Sequence, residues 1–285
     1  MTDAEPGKST GAATGTGHYE PASLVERLRA ALAASGLVAE QLRPEDLAAL
    51  DQFHSRGLAA TRELARQLPL GPATRVLDIG AGLGGPSRYL AAHYGCEVQG
   101  IDLSRAFVEA ATFLAQRCGL AGRAGYRHGN ALALPYEAGS FDVAWTQHVA
   151  MNIADRDTLY AEAFRVLRPG GRFAIFDVVA AGDAPLHFPV PWAPGPASSF
   201  LVTAEAMRVH LENAGFRVVD WVDSTAEGIA WFAARAAQAR GAGTPPPALG
   251  LPLVMGDGFG EMTGNLARNL RESRAALIQA VLEKP

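Results

Sequence analysis

A strand-like segment that runs directly into a glycine-rich turn constrains this chain more than any other feature. Residues 76–85 read VLDIGAGLGG, and a helical pattern follows them. Glycine is needed where a backbone turns tightly and approaches a ligand closely. The N-terminus of the following helix presents free N–H groups and the positive end of its dipole, which suit a carboxylate or a phosphate. The segment therefore predicts a strand–turn–helix unit that binds a ligand.

Two classes of cofactor are compatible with this turn. Gly80, Gly82 and Gly85 satisfy the dinucleotide fingerprint G-x-G-x-x-G, and Asp102 supplies an acidic residue about 20 positions further on. Asp78 argues against a dinucleotide, because a buried carboxylate before the turn would repel a pyrophosphate but could pair with an amino group. The chain also lacks a Tyr-x-x-x-Lys pair for hydride transfer. A nicotinamide oxidoreductase and a non-catalytic binding module remain alternatives to a transferase.

Short apolar segments alternate with helical ones after Pro72. This alternation predicts an α/β fold, a doubly wound, mostly parallel seven-stranded sheet with helices on both faces. Such sheets bind ligands at the carboxyl ends of their strands. The predicted strands are 75–79, 97–101, 124–128, 141–146, 172–179, 216–222 and 275–282. The predicted helices of this part are 86–93, 105–118, 155–167, 203–215, 226–239 and 261–271.

The remaining segments predict the domain organisation. Residues 1–17 are rich in small polar residues and predict a disordered tail, and 18–70 predict a helical N-terminal cap. Residues 71–285 form the main predicted domain. It contains a proline-rich loop inserted after strand five, at about 180–202, and a C-terminal helix–strand extension.

Composition limits the classes of partner that the protein is expected to bind. The net charge is -4 without a long basic run, so we expect no nucleic acid. No apolar stretch approaches the ~20 residues that span a bilayer, and no secretory signal is evident, so we expect a cytoplasmic protein without a membrane partner. Cys96 and Cys118 are too few for a disulfide framework and lack metal-ligand spacing. We expect a small-molecule substrate, no metal, and a monomer or homodimer.

The glycine-rich segment resembles motif I of the class I S-adenosylmethionine-dependent methyltransferases. Asp102 matches the acidic residue that ends their second strand, residues 129–131 (GNA) match their adenine-reading turn, and 167–171 (LRPGG) match the turn before their fifth strand. With 51–54 (DQFH) and 145–148 (WTQH), the pattern resembles the branch that contains glycine, sarcosine and dimethylglycine N-methyltransferases. The resemblance covers roughly residues 52–222. It departs at Asn130, where the family usually has Asp.

The resemblance implies S-adenosylmethionine as cofactor and assigns residues to it. Asp78 would attract the ammonium group, Asp102 would accept both ribose hydroxyls, and Gln147 would face the sulfonium. Leu103 would pack on the adenine, with Asn130 at its edge. The full implied cofactor set is Gln52, Asp78, Gly80, Ala81, Gly82, Asp102, Leu103, Asn130, Ala131 and Gln147.

Methyl transfer also needs a positioned nucleophile that loses a proton, and histidine is the usual base near neutral pH. His148 follows strand four and is the first candidate, as a base or as a substrate partner; a structural histidine is the alternative. Asn152 is a second candidate that would orient substrate. His54 would contact substrate or the methionine carboxylate, with a helix-surface position as the alternative. Phe188 and Trp192 would line the acceptor pocket; the alternative is that they cover the edge of the core.

The acceptor is predicted only as a class. Methylation of an amine or amino acid nitrogen is the leading interpretation, and O- or C-methylation of a secondary metabolite is the alternative. Arg56 or Arg88 could pair with the carboxylate of an amino acid, although a solvated arginine is the default for each. A strongly apolar pocket around Trp192 would favour the metabolite, and a buried arginine near His148 would favour the amino acid.

Overall fold

A seven-stranded sheet forms the centre of the molecule. In a computed structural model, the described residues are 23–38, 41–242 and 249–285, so the predicted tail 1–17 lies outside them. The sheet order is β3-β2-β1-β4-β5-β7-β6. All pairings are parallel except those of β7, which lies antiparallel between β5 and β6. The strands are β1 (Arg75–Ile79), β2 (Glu97–Asp102), β3 (Ala124–His128), β4 (Phe141–Gln147), β5 (Leu167–Ala180), β6 (Arg217–Asp223) and β7 (Ala275–Glu283).

Helices cover both faces of this sheet. In the described part of the chain, single-turn 3-10 helices accompany them at Pro44–Leu47, Ala150–Asn152 and Pro196–Ser198. The α-helices are α1 (Leu24–Ala34), α2 (Ala48–Asp51), α3 (Leu58–Arg66), α4 (Gly85–Tyr94), α5 (Arg105–Arg117), α6 (Arg156–Val166), α7 (Ala204–Asn213), α8 (Thr225–Ala242), α9 (Pro252–Met255) and α10 (Phe259–Arg271). The described helices include none that is both long and apolar enough to cross a membrane.

The predicted fold class is confirmed, and one predicted turn is wrong. Residues 167–171 were expected to form a turn before the fifth strand, but β5 already begins at Leu167. Leu167 pairs with Phe141 of β4, and the register then shifts before Val143 pairs with Arg172. Four residues of β5 lie opposite one residue of β4 between these two pairs, so the segment is an irregular part of a strand that continues through it.

The N-terminal helices share a core with the helix that follows β2. Leu28 and Leu32 of α1 pack in one apolar cluster with Phe113 and Leu114 of α5. Ser23 begins α1 with a capping box, in which its hydroxyl accepts the N–H of Glu26. The helix α1 is therefore packed against the helix layer that covers the sheet.

A buried ion pair fixes the cap to the glycine-rich turn. Arg88 of α4 donates to the carboxylate of Asp51 at 2.6 Å, and the two side chains are 0% and 1% exposed. Arg88 also donates to the carbonyl oxygen of Leu83, inside the turn. Removing one partner of such a pair leaves the other as a buried charge without a counter-charge, which strongly destabilises a protein. The pair therefore places the residues after Asp51 above the carboxyl end of β1.

Candidate functional site

A cavity of about 690 Å³ opens at the carboxyl ends of β1, β2, β3 and β4. This volume lies within the range of small-molecule sites, which is roughly 300–1,000 Å³. Its walls come from the glycine-rich turn, from the segments that follow β2, β3 and β4, and from three covering segments: the cap, the loop after β5 and the region of α9 and α10. The topology therefore brings together the motifs predicted from the sequence.

The glycine-rich turn forms one wall because no side chain fits there. Gly80 and Gly82 line the cavity with positive φ angles of 74° and 53°. A Cβ on Gly80 would lie 2.5 Å from a methyl carbon of Val149. The N–H groups of Gly80 and Ala81 both donate to the carbonyl oxygen of Ile101, which ties the turn to β2. Ala81 itself is buried and does not line the cavity.

Asp102 presents a carboxylate that is fixed in place from two sides. One oxygen accepts the N–H of Gly82 at 2.9 Å, and the other accepts the N–H of Ser104 at 2.8 Å. Each oxygen keeps a lone pair for a further donor. Leu103 lines the cavity beside it and is 71% exposed, so its apolar side chain is open to a ligand. The carboxylate and the exposed apolar side chain suit a ligand with hydroxyls next to a flat ring.

Asn130 and Ala131 line the next part of the wall, after β3. The Asn130 side-chain oxygen accepts the N–H of Leu132 at 2.9 Å, which forms an Asx turn. That oxygen retains a second lone pair, and the amide nitrogen retains its donors. The side chain of Asn130 can therefore still form hydrogen bonds with an adenine. Its adenine-reading role stays a prediction.

Two predicted cofactor residues lie behind the wall. The carboxyl group of Asp78 is 2% exposed and accepts the hydroxyl of Ser87 at 2.5 Å. Burial raises the pKa of Asp78 to about 7. Gln52 is also buried, and its side-chain oxygen accepts the hydroxyl of Thr61 at 2.8 Å. Neither side chain lines the cavity, and their direct contact with a cofactor stays a prediction.

Gln147 and His148 line the cavity where β4 ends. The Gln147 oxygen accepts the indole N–H of Trp145 at 3.1 Å, which leaves its Nε2 buried and without a partner among the described residues. His148 adopts a left-handed conformation (φ 55°), and its backbone N–H donates to Phe176 at 2.7 Å. Its Nε2 is likewise buried without a partner in the described part of the chain. Burial, together with His54, holds the pKa of His148 well below its usual value, so the ring is neutral near pH 7.

His54 lies next to His148 but does not line the cavity. Its Nε2 is 3.0 Å from both the carbonyl oxygen of Gly57 and the hydroxyl of Thr61. The ring centroids of His54 and His148 are 6.0 Å apart. Burial lowers the pKa of His54 to about 4. Because the side chain is buried, the helix-surface alternative is wrong, and a direct contact with substrate stays a prediction.

The other predicted substrate residues differ in position. Asn152 and Trp192 line the cavity, whereas Phe188 is half-buried outside it. The Asn152 amide donates to the carbonyl oxygen of Val149 at 3.2 Å. The indole N–H of Trp192 donates to the hydroxyl of Ser199 at 2.9 Å, so its polar group is satisfied within its own loop. Trp192 thus offers the cavity mainly apolar surface.

Sequence reasoning missed most of the apolar wall. Phe53 lies inside the 51–54 segment that carried the family resemblance, and Pro191 adjoins Trp192, so both had a local signal. The others come from distant segments with no shared pattern. The missed apolar residues include Phe53, Phe107, Val149, Ile153, Pro191, Met255 and Phe259.

Neither arginine proposed as a carboxylate partner lies at the cavity. Arg88 is fully buried against Asp51, and Arg56 binds Glu63 at 2.6 Å. The expectation of a solvated arginine is also wrong for both, since each side chain is at most 9% exposed. Asp102 and Asp155 are the charged residues among the described lining residues. In the same part of the chain, no group of three or more His, Cys, Asp or Glu side chains is placed to hold a metal ion.

Comparison with known proteins shows which proteins this chain resembles. Residues 77–175 match the model of a methyltransferase domain. The chain is 36% identical over 137 residues to the methyltransferase GfsG of Streptomyces halstedii, covering 48% of this chain and 49% of that protein. It is 35% identical over 162 residues to a sarcosine/dimethylglycine N-methyltransferase of Halorhodospira halochloris, covering 57% of each. An O-methyltransferase of Aspergillus sclerotiorum, resE, is 33% identical over 172 residues, with 57% and 62% covered. The chain thus spans about half the length of the curated relatives it matches.

Solved structures share the fold. A geranyl diphosphate methyltransferase in complex with S-adenosylmethionine has a TM-score of 0.64 at 21% identity, covering 80% of this chain and 85% of that one. The [4+2]-cyclase SpnF has a TM-score of 0.64 at 23% identity, covering 91% and 93%. A phosphoethanolamine N-methyltransferase of Haemonchus contortus, in complex with S-adenosyl-L-methionine, has a TM-score of 0.69 at 19% identity, covering 93% and 60%. Residues 77–175 thus match a methyltransferase domain, and the chain shares its fold with methyltransferases solved in complex with S-adenosylmethionine.

Proposed function

We propose that this protein transfers a methyl group from S-adenosylmethionine to a small molecule with a largely apolar body. One observation carries the proposal: a single cavity connects the glycine-rich turn and the Asp102 carboxylate to a wall of apolar side chains. The first part has the donors and acceptors for the cofactor. The second part has room and chemistry for an acceptor.

The cofactor part is assigned by the chemistry of its residues. The two oxygens of Asp102 are held by backbone N–H groups and still accept hydrogen bonds, which suits vicinal ribose hydroxyls. The exposed Leu103 suits the face of an adenine ring, and Asn130 suits its polar edge. Gly80 and Gly82 leave backbone space for the methionine part. The bound cofactor supplies an activated methyl group on a sulfonium centre.

The acceptor part favours an uncharged apolar body. Trp192, Met255 and Phe259 form much of its wall. The carboxylate of an amino acid would find no arginine or lysine among the described lining residues, and it would face Asp155 instead. A metabolite hydroxyl or carbon, or a neutral amine on an apolar body, meets no such repulsion. The cavity therefore favours the metabolite over the amino acid expected from the sequence.

His148 is the proposed contact with the reacting group. Its imidazole is neutral near pH 7, so it can accept a hydrogen bond from a hydroxyl or an amine. Because its pKa is low, the ring is a weak base, and it would orient the acceptor before it takes up any proton. Asn152, which lies four residues further along and also lines the cavity, would contact the same group.

Cofactor binding is the first test, measured by calorimetry with S-adenosylmethionine. For Asp102→Ala, we expect a loss on the order of 2–3 kcal/mol, or roughly 30- to 150-fold in affinity, because two hydrogen bonds to ribose are removed. Asp220→Ala on β6, at the far edge of the sheet, is the matched control and should bind like the wild type. Tight NAD binding without S-adenosylmethionine binding would return the glycine-rich turn to the dinucleotide class.

Turnover is the second test, measured as S-adenosylhomocysteine formed with panels of acceptors. We expect neutral apolar phenols, alcohols and amines to be methylated more efficiently than glycine or sarcosine. Efficient methylation of glycine with no turnover of apolar acceptors would contradict the proposed acceptor class. Cofactor binding with no methyl transfer to any panel would point to another activity on this fold, since a fold does not fix function.

A further inference from the structure

A buried carboxylate next to the site has no role in the mechanism described above. Asp177 lies on β5, is 2% exposed and does not line the cavity. Its Oδ2 has no hydrogen-bond partner among the described residues. Burying an ionisable group in this way is costly, and such a group usually has a specific partner or a functional role.

The partners of Asp177 are backbone N–H groups of the turn after β4. Its Oδ1 accepts the N–H of Val149 at 2.9 Å. The adjacent N–H groups of His148 and Ala150 also favour the ionised carboxylate. His148 has a left-handed backbone, which costs energy for a residue that carries a side chain. The carboxylate therefore stabilises the turn after β4, which places the His148 side chain in the cavity wall.

The same turn is tied to the loop after β5 through a buried arginine. Arg156 is 5% exposed, and its guanidinium donates to the carbonyl oxygen of Phe200 at 2.8 Å. The N–H of Phe200 donates in turn to the carbonyl oxygen of Met151 at 3.0 Å. Burial raises the pKa of Asp177 to about 6, and the positive charge of Arg156 opposes that rise. These buried contacts thus hold the turn after β4, the loop after β5 and the start of α6 together.

We infer that Asp177 is a positioning residue, whose carboxylate holds the His148 turn in the conformation needed for the acceptor. The inference rests on the proposed function, because only a methyl acceptor in the cavity makes the conformation of the His148 turn matter for catalysis. It does not require Asp177 to touch the cofactor or the acceptor. A misplacement of about 1 Å at a reacting group can cost on the order of 100-fold in rate, so the effect on turnover is measurable.

Amide-resolved hydrogen exchange with S-adenosylhomocysteine present tests the inference directly. Asp177→Asn removes the charge and keeps one acceptor oxygen, whereas Asp177→Leu removes every acceptor at similar volume. We expect the amides of 148–152 to exchange at least tenfold faster in Asp177→Leu, with Asp177→Asn in between. The amides of the glycine-rich turn, 80–85, should stay within about twofold of the wild type. Gln279→Leu is the matched control, because Gln279 is a buried polar residue on the neighbouring strand β7 and does not line the cavity.

Kinetics separate positioning from mere stability. With an acceptor turned over by the wild type, we expect Asp177→Asn to lower kcat about 10- to 100-fold and to change the KM of S-adenosylmethionine less than threefold. Wild-type exchange at 148–152 in both variants would overturn the inference. Equal acceleration at 80–85, or the same acceleration in Gln279→Leu, would also overturn it.

The two proposals fail in different ways. If the wild type binds no S-adenosylmethionine, the proposed function fails in the calorimeter. The exchange comparison is then made on the unliganded protein, where faster exchange at 148–152 in the Asp177 variants would still support the role of Asp177 in holding the turn. Unchanged exchange there would reject it.

Discussion

The hydroxyl of Thr61 in α3 lies 3.1 Å from the side-chain oxygen of Gln147 at the end of β4. The same hydroxyl lies 2.8 Å from the side-chain oxygen of Gln52, and Thr61 is completely buried. A hydroxyl has one proton to donate. The shorter distance assigns the proton of Thr61 to Gln52, and the oxygen of Gln147 accepts the indole N–H of Trp145. The cap thus meets the strand that ends at the cavity through one hydroxyl group.

Removing that hydroxyl should destabilise the protein. Thr61→Val keeps the shape but leaves the Gln52 oxygen buried without a donor, which costs about 1–3 kcal/mol of unfolding free energy. Thr61→Ser keeps the hydroxyl and loses only a methyl group, so it should cost about 1 kcal/mol or less. Urea denaturation of both variants measures the difference. A stability of Thr61→Val equal to that of the wild type would show that the hydroxyl contributes nothing.

A side chain at position 80 should close the turn. Gly80→Ala places its Cβ against Val149 and forces a positive φ, a conformation that costs an ordinary residue about 1–2 kcal/mol. We expect a lower Tm and at least a tenfold loss of S-adenosylmethionine affinity by calorimetry.

Two companion variants separate the causes of that effect. Gly36 also has a positive φ, but a Cβ added there has open space around it. The change in Tm of Gly36→Ala therefore measures the cost of backbone strain alone. Adding Val149→Ala to Gly80→Ala should recover part of the Tm by removing the overlap. No recovery in the double variant would show that contact with Val149 is not the cause.

Asp78 should make stability depend on pH near neutrality. Burial raises its pKa from 3.8 to about 7, so the folded protein binds this proton more tightly than the unfolded chain. Its contribution is therefore fully present below pH 3.8 and is lost as the pH rises through about 7. We expect the unfolding free energy of the wild type, relative to that of Asp78→Asn, to fall between pH 6 and 8.

The comparison isolates Asp78 from the other buried groups. Burial raises the pKa of Asp51 and of Asp177 to about 6, and both carboxyl groups are present in either protein. Denaturation at pH 6, 7 and 8 in one buffer series gives the difference directly. A constant difference across this range would mean that Asp78 does not titrate there.

The fold was predictable because its signals are local. Strands such as Arg75–Ile79 are short apolar runs, and the glycines at 80, 82 and 84 adopt positive φ where the sequence predicts a tight turn. The β5 boundary was not predictable, since Leu167 joins the strand only through pairing with Phe141 across a register shift. Pairing partners are distant in the sequence and leave no local pattern.

The site was predictable on its cofactor side and much less so on its acceptor side. Residues after strand ends, such as Asp102 and His148, follow from topology because parallel strands end at one edge. Met255 and Phe259 reach the cavity from segments more than 100 residues further along the chain than His148. The burial of Arg88 and Asp177 likewise depends on tertiary partners. Neither feature has a spacing rule that a sequence alone could reveal.

Trp192 should control acceptor binding without affecting the cofactor. Trp192→Ala removes a large apolar surface from the wall, worth about 1.5–3 kcal/mol, or roughly 10- to 150-fold in the KM of an apolar acceptor. Ser199→Ala removes only the partner of the indole N–H and leaves the ring, so its effect on that KM should be much smaller. Calorimetry with S-adenosylmethionine should give the wild-type affinity for both variants. A parallel loss of cofactor affinity in Trp192→Ala would place the indole against the cofactor instead, and the acceptor would then have to occupy another part of the cavity.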